Sequence, residues 1–267
     1  VSPVAVVTGA SSGIGEALAL AFAEKGMDLA LVARDRDRLE EVAKQCRERF
    51  RVAVSVLPCD LSDPEATLQL ARSLADLPVA VLANNAGFGI HGEFLETDLD
   101  DERKLLRLQL DATLALTKAI VPGMVARRRG RVLNVGSVYA FAPVPRQAVY
   151  AASKAFLRSF TETLAAELRG SGVTVTGVYP GVTRTEFRQR AGIVSKRPAA
   201  GATATSVAHG AVRACLRGQL EYVPGSFANR LFVTVMRHLA GKSAAWLMAR
   251  INRARGLRAR SSDELPA

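Results

Sequence analysis

Short apolar runs alternate with longer amphipathic stretches through the first two thirds of the chain. "VAVVTGA" (4–10) is an apolar run ending in glycine, and "GEALALAFAEKG" (15–26) carries apolar residues at helical spacing until Gly26 stops it. "DLALVAR" (28–34) predicts a second strand and "DRLEEVAKQCRERF" (37–50) a charged amphipathic helix. Further strands are predicted in "RVAVSVLPCDLS" (51–62), "PVAVLANNAG" (78–87), "GRVLNVGSV" (130–138), "GVTVTGVYPG" (172–181) and "LEYVPG" (220–225), with helices in the gaps, including 98–118 and 150–170. Strands this apolar are buried on both faces, which a parallel sheet covered by helices requires. Right-handed strand–helix–strand crossovers then give one open, doubly wound α/β sheet of about seven strands. Ligands of such sheets bind beyond the carboxyl ends of the strands, so the residues just after each apolar run are the ones to inspect.

The pattern changes twice towards the end. Residues 183–206 are rich in Gly and Ala and have little strand or helix signal; a loop of that composition can close over a substrate. After 225, "FANRLFVTVMRHLAG" (227–241) and "SAAWLMARINRARG" (243–256) predict amphipathic helices through Leu231, Val235, Leu239, Trp246, Leu247 and Ile251. The expected organisation is a ligand-binding unit over 1–225 with a helical extension of the same domain over 226–267.

Composition adds limits. With 267 residues, 49% hydrophobic and 23% charged, the chain can bury a sizeable core. Its apolar runs are strand-sized, so no membrane-spanning helix is expected. The N-terminus enters an apolar strand directly, without a signal-peptide pattern. Cys46, Cys59 and Cys215 lack metal-ligand spacing, so no metal is expected and the thiols are expected to be reduced, as in a cytoplasmic protein. The net charge is +11, and from Ser226 to Ser262 there are eight Lys or Arg and no Asp or Glu. Three roles for that basic tail stay open: a cap on the substrate pocket or a neighbouring subunit, peripheral contact with an anionic membrane, or nucleic-acid binding. No nucleic-acid motif accompanies it.

Candidate chemistry lies at the predicted strand ends. "TGASSGIG" follows the first strand and opens the first helix, with Gly9, Ser11, Ser12, Gly13, Ile14 and Gly15 in the turn. Glycines there let the backbone approach a phosphate, and the free N–H groups of a helix start favour an anion. "VYAASKAF" puts Tyr150 and Lys154 one helical turn apart. A phenol has an unperturbed pKa of about 10, and a nearby positive charge favours its ionised form.

Five motifs occur in order: TGASSGIG, CDL (59–61), NNAG (84–87), Ser137 with YAASK, and PGVTRT (180–185). Together they resemble the short-chain dehydrogenase/reductase family over about residues 4 to 225. The resemblance implies a Rossmann-type sheet and a nicotinamide cofactor. It places Asp60 and Leu61 beside the adenine, the backbone of Asn85, Ala86 and Gly87 beside its ribose, and Thr185, in the segment with Pro180, Gly181 and Thr183, near the diphosphate or nicotinamide. Arg34, at the end of the second strand, suits the extra phosphate of NADP(H), so NAD(H) is the less favoured cofactor, although Asp35 adjoins it.

The same resemblance implies Tyr150 as proton donor in carbonyl reduction, Lys154 as the residue that lowers the phenol's pKa and holds the nicotinamide ribose, and Ser137 as a donor to the substrate oxygen. Where the family has an Asn that orders a relay water to the Lys, this chain has Gln109, which can hold that water from a shifted place or break the relay. Phe94, Phe141, Val144, Tyr179 and Phe187 are candidate pocket wall. The expected activity is NADP(H)-dependent interconversion of a small-molecule carbonyl and its alcohol, with a long apolar substrate suggested by the tail. The alternatives are NAD-linked alcohol oxidation, and a cofactor-binding protein with weak turnover acting through association. A homodimer or tetramer is expected by resemblance, with Phe156 and Phe160 available for an interface.

Overall fold

In the computed structural model, residues 2–194, 201–239, 243, 244, 247, 248, 250, 251, 258 and 259 are described. Lys242, Trp246, Arg253, Arg255 and Arg260 of the basic tail lie outside them.

Six strands alternate with helices: β1 (Val4–Thr8), α1 (Gly13–Ala23), β2 (Asp28–Ala33), α2 (Arg36–Phe50), β3 (Val54–Pro58), α3 (Pro64–Ala75), β4 (Val79–Asn84), α4 (Leu99–Leu106), α5 (Ala112–Ala126), β5 (Gly130–Val135), α6 (Ala148–Glu167) and β6 (Val173–Val178). The chain continues through α7 (Phe187–Arg190), α8 (Ala204–Leu216), a short strand Glu221–Tyr222 and α9 (Phe227–His238). The sheet runs Glu221–Tyr222, β6, β5, β4, β1, β2, β3, with every pairing parallel. Strand order therefore reverses between β1 and β4, and the crevice opens there.

Side chains alternate along each strand between two cores. On one face Val7, Leu29 and Leu31 pack with Leu18 and Phe22 of α1, Leu39 of α2 and Val212 of α8. On the other, Val6, Val32 and Leu82 pack with Leu74 of α3 and Leu116, Ile120 and Met124 of α5. A third cluster joins Val138, Phe141 and Tyr179 to Val233 and Met236 of α9 and to Ala244 and Met248.

Three boundaries depart from the periodicity. The fifth strand stops at Val135, because Ser137 opens a 3-10 turn over Val138–Phe141 and its side chain accepts from the Tyr139 N–H at 3.2 Å. The helix expected over 98–118 is α4, a π-helical turn Arg107–Asp111, and α5 continuing to Ala126. The expected loop 183–206 is partly structured. Thr183–Arg184 pairs with Ala202–Thr203, and Ile193–Val194 pairs antiparallel with Arg258–Ala259 from the tail. Residues 195–200 of that loop lie outside the described set. The tail pairing is between segments far apart in sequence, which local periodicity does not encode.

Candidate active site

The carboxyl ends of β1 and β4 are fastened together at the crevice. Thr8 Oγ1 donates to the Ala83 carbonyl at 3.3 Å and accepts from the N–H groups of Asn85 and Ala86 at 2.9 and 3.0 Å. The Asn85 amide donates to the Thr8 carbonyl at 2.9 Å. Gly9 and Gly13 have left-handed φ values of 66° and 61°. A Cβ on Gly9 would lie 2.9 Å from Ala86 Cα, and one on Gly15 would lie 2.0 Å from the Gly9 carbonyl oxygen. A Cβ on Gly13 would meet Thr185 Cγ2 at 3.3 Å, so the first motif and PGVTRT face each other. Ser12 is the N-cap of α1, and Ser11 and Ile14 flank the turn half-buried. The opening N–H groups of a helix have no intrahelical partner. This cradle of close-set backbone at the positive end of α1 fits a nucleotide diphosphate.

At the end of β2, Arg34 and Asp35 are both exposed, but they differ in what engages them. Asp35 is the N-cap of α2: it accepts from the Arg38 N–H at 3.0 Å and pairs with the Arg38 guanidinium at 3.5 Å. Arg34 has no ion pair among the described residues. Asp60 accepts from the Ser62 N–H and hydroxyl at 2.9 and 2.7 Å. Burial works against its ionisation, but those two bonds, with Arg34 and Lys104 nearby, hold the carboxyl below its ordinary range. Leu61 is buried, and its carbonyl accepts from Thr67.

Ser137, Tyr150 and Lys154 come together at the ends of β5 and the first turns of α6. The Ser137 hydroxyl lies near the Tyr150 phenol and favours its ionised form. Lys154 Nζ donates to the Val135 carbonyl at 3.2 Å and stands 5.6 Å from the Tyr150 ring centroid. Burial pushes the phenol up from its ordinary value; Ser137 opposes this, and nearby Tyr139 adds to it. Burial also drives Lys154 down to about 7. The expected lowering of the phenol by Lys154 is therefore not the dominant effect in the protein alone. The same desolvation acts on both groups and disfavours each charged form.

Gln109 is fully buried in the π-helical turn. Such single turns re-aim side chains and recur at functional sites. Its amide donates to the Phe88 carbonyl at 2.7 Å, and its oxygen accepts from Ser153 Oγ at 3.3 Å. Ser153 also bonds the Tyr150 carbonyl at 2.7 Å. Asp111 is exposed, on the outer side of the helix. A Cβ on Gly87 would press on Gln109 Cγ at 3.2 Å, so the end of NNAG closes over this amide.

Around Tyr150, the Phe187 ring lies 5.7 Å from the phenol ring, and Tyr139 meets the phenol edge-on at 6.4 Å. Phe187 reaches this place because residue 89 is glycine; a Cβ there would be 2.8 Å from Phe187 Cζ. Thr185 Oγ1 accepts from the Phe187 N–H at 3.3 Å. The Pro180 carbonyl accepts from Val138, and Thr183 Oγ1 donates to the Gly181 carbonyl. Of the other wall candidates, Phe141, Val144 and Tyr179 are buried in the third core cluster, and Phe94 is exposed. Sequence reasoning missed Tyr139, Ser153 and His91. Ser153 stood inside the YAASK motif, whereas nothing local marked His91, which is buried with its Nδ1 3.2 Å from the Gln147 amide.

The family model described as short chain dehydrogenase matches residues 3–193. A dehydrogenase/reductase SDR family protein 7-like from Anopheles gambiae is 31% identical over 259 residues, covering 92% of this chain and 81% of that protein. The very-long-chain 3-oxoacyl-CoA reductase of Bos taurus is 35% identical over 180 residues, covering 66% of this chain; the chain spans only 58% of that relative's length. Among solved structures, a short-chain dehydrogenase from Sphingobium yanoikuyae in complex with NADPH is 33% identical, with a TM-score of 0.80, covering 98% of this chain and 100% of that one.

Proposed function

The chain belongs to the short-chain dehydrogenase family, and from that premise we propose that it is an NADP(H)-dependent oxidoreductase that interconverts a ketone or aldehyde and its alcohol. The observation that carries this reading is the buried Tyr150 phenol with Lys154 one helical turn away, its Nζ 5.6 Å from the phenol ring, and with Ser137 beside it, at the same carboxyl end of the sheet as the glycine cradle. The glycine cradle of Gly9, Gly13 and Gly15, with Arg34, would hold NADPH, and the bound cofactor would supply hydride chemistry at the carbonyl carbon. Ser137 and Tyr150 present their O–H groups to the carbonyl oxygen, where negative charge develops. Tyr150 then gives its proton to that oxygen, completing the alcohol. Lys154, with a value near 7, can hold or release a proton near neutrality and so restore the phenol.

Two features support NADP(H) over NAD(H). Arg34 stands exposed at the strand end, while the neighbouring carboxylate of Asp35 is engaged in capping α2. A guanidinium there binds a ribose phosphate by charge-assisted bonds. The NADPH-bound neighbour agrees with this choice. Tyr139 and Phe187 beside Tyr150, and the relatives named as very-long-chain 3-oxoacyl-CoA reductases, support an apolar carbonyl substrate. The Phe156 and Phe160 rings stack at 6.0 Å on α6 and supply a surface for self-association.

The test is NADPH consumption by the purified protein across carbonyls ranging from small aldehydes to long acyl and steroid ketones, with NADH in parallel. Turnover should favour NADPH and apolar ketones. Tyr150→Phe should lower kcat/KM by about 10²–10⁴ while NADPH affinity stays within a few-fold. Full activity in Tyr150→Phe, or NADPH binding without turnover of any carbonyl, overturns the reading.

A further inference from the structure

Helix α9 is apolar on two sides. Val233 and Met236 are buried against the turn that follows Ser137, and Phe232 packs partly beside them. Packing onto the domain requires only that face. On the outward side, Phe227, Leu231 and Val235 are 77%, 51% and 41% exposed. They recur every four residues and so form one stripe.

Exposed Arg230, Arg237 and His238 flank the stripe. Arg237 is ion-paired with Glu221 and lies over the Phe141 ring at 4.8 Å, which fixes its position. Arg230 has no ion pair among the described residues. Between α9 and the short strand Glu221–Tyr222 is a cleft of about 260 Å³, lined in part by Glu221, Tyr222, Arg230, Thr234 and Arg237. The whole stretch 226–262 carries eight Lys or Arg, Arg230 and Arg237 among them, and no Asp or Glu.

We propose that the outward face of α9 docks the protein onto an anionic lipid surface. The stripe enters the boundary between headgroups and acyl chains, and Arg230 beside it takes a lipid phosphate. Charge decides between occupants. A second copy meeting the same face would bring its own cations against these, with no acid in the stretch to balance them. Nucleic acid would satisfy the cations but leave the three large apolar side chains in water. An anionic bilayer complements both features. This inference does not rest on the proposed reaction.

The test is co-sedimentation of the full chain with phosphatidylcholine vesicles, with and without phosphatidylserine, at low and high salt. Binding should require phosphatidylserine and weaken with salt. Arg230→Gln should lower the partition by about fivefold, and Leu231→Asn with Val235→Asn by about tenfold or more. These positions are exposed, so circular dichroism and the thermal midpoint should be unchanged. Equal partition onto both vesicle types, or no partition, overturns the proposal. So does wild-type partition in the Leu231/Val235 variant, or a wild-type dimer that this variant splits without any lipid binding, which would give the face to a second copy.

Discussion

The hydroxyl of Ser153 donates to the side-chain oxygen of Gln109 at 3.3 Å across 44 positions of sequence. The same hydroxyl shares its one proton with the Tyr150 carbonyl, the nearer acceptor at 2.7 Å, and the other end of the Gln109 amide donates to the Phe88 carbonyl. Gln109 therefore braces the loop after NNAG against the turn that carries Tyr150. Its extra methylene, relative to Asn, spans that distance.

Gln109→Asn should accordingly lower turnover. The shorter amide cannot keep both partners, and a buried group left unpaired costs about 1–3 kcal/mol. Thermal unfolding should show a loss of several degrees, and steady-state rates should fall. A rate gain in this variant would mean that Gln109 impairs the natural relay.

Stability should depend on pH through Lys154. Its folded value is depressed from 10.5 to about 7 by burial. Below 7 both states carry the proton, and the folded state bears the full penalty of a buried ammonium. Between about 7 and 9 the unfolded chain binds more protons at Lys154, so stability rises with pH, by on the order of 1 kcal/mol per unit; above about 9 the buried Cys46 and Cys215 thiols, pushed up to about 11 and about 12, keep protons that the unfolded chain loses and reverse the slope. Urea unfolding of wild type and Lys154→Met from about pH 7 to about 9 should show the rise in wild type and its absence in the variant.

Arg34→Gln should weaken NADPH binding by about 10- to 100-fold, the worth of a charge-assisted bond to phosphate, and leave NADH binding nearly unchanged. The ratio of KM values for the two cofactors measures this. An unchanged ratio would move phosphate recognition away from the end of β2.

Gly15→Ala should abolish cofactor binding. The added Cβ would fall 2.0 Å from the Gly9 carbonyl oxygen, which is backbone and cannot swing aside. The cradle must open, and the contact of Gly9 with Ala86 opens with it. Quenching or enhancement of NADPH fluorescence on titration should disappear, together with a drop in thermal midpoint.

Some parts of the site were legible because their constraints are local. The glycine turn follows from the backbone geometry of Gly9 and Gly13, whose φ values are positive. Tyr150 and Lys154 share a helix face through spacing alone. Arg34 was legible as a strand-end cation, but its standing against Asp35 was not, since that depends on Asp35 capping α2. The wall candidates fared unevenly. Phe187 meets Tyr150, whereas Phe141 and Tyr179 pack against each other at 4.9 Å within the core. An aromatic residue near a motif carries no mark of which way its ring turns.

The sequence by itself determined the strand–helix alternation, the burial of the strands on both faces, and the strand-end loops that hold the candidate site residues, because hydrophobic period and glycine freedom act within a few residues. Tertiary structure alone decided the strand order that joins Thr8 to Asn85 and Ala86, the π-helical turn that buries Gln109, and the desolvation that raises Tyr150 while lowering Lys154. It also decided which apolar face of α9 packs inward and which meets solvent. These depend on what closes over each group in space, and dielectric and packing are properties of that enclosure rather than of the neighbours along the chain.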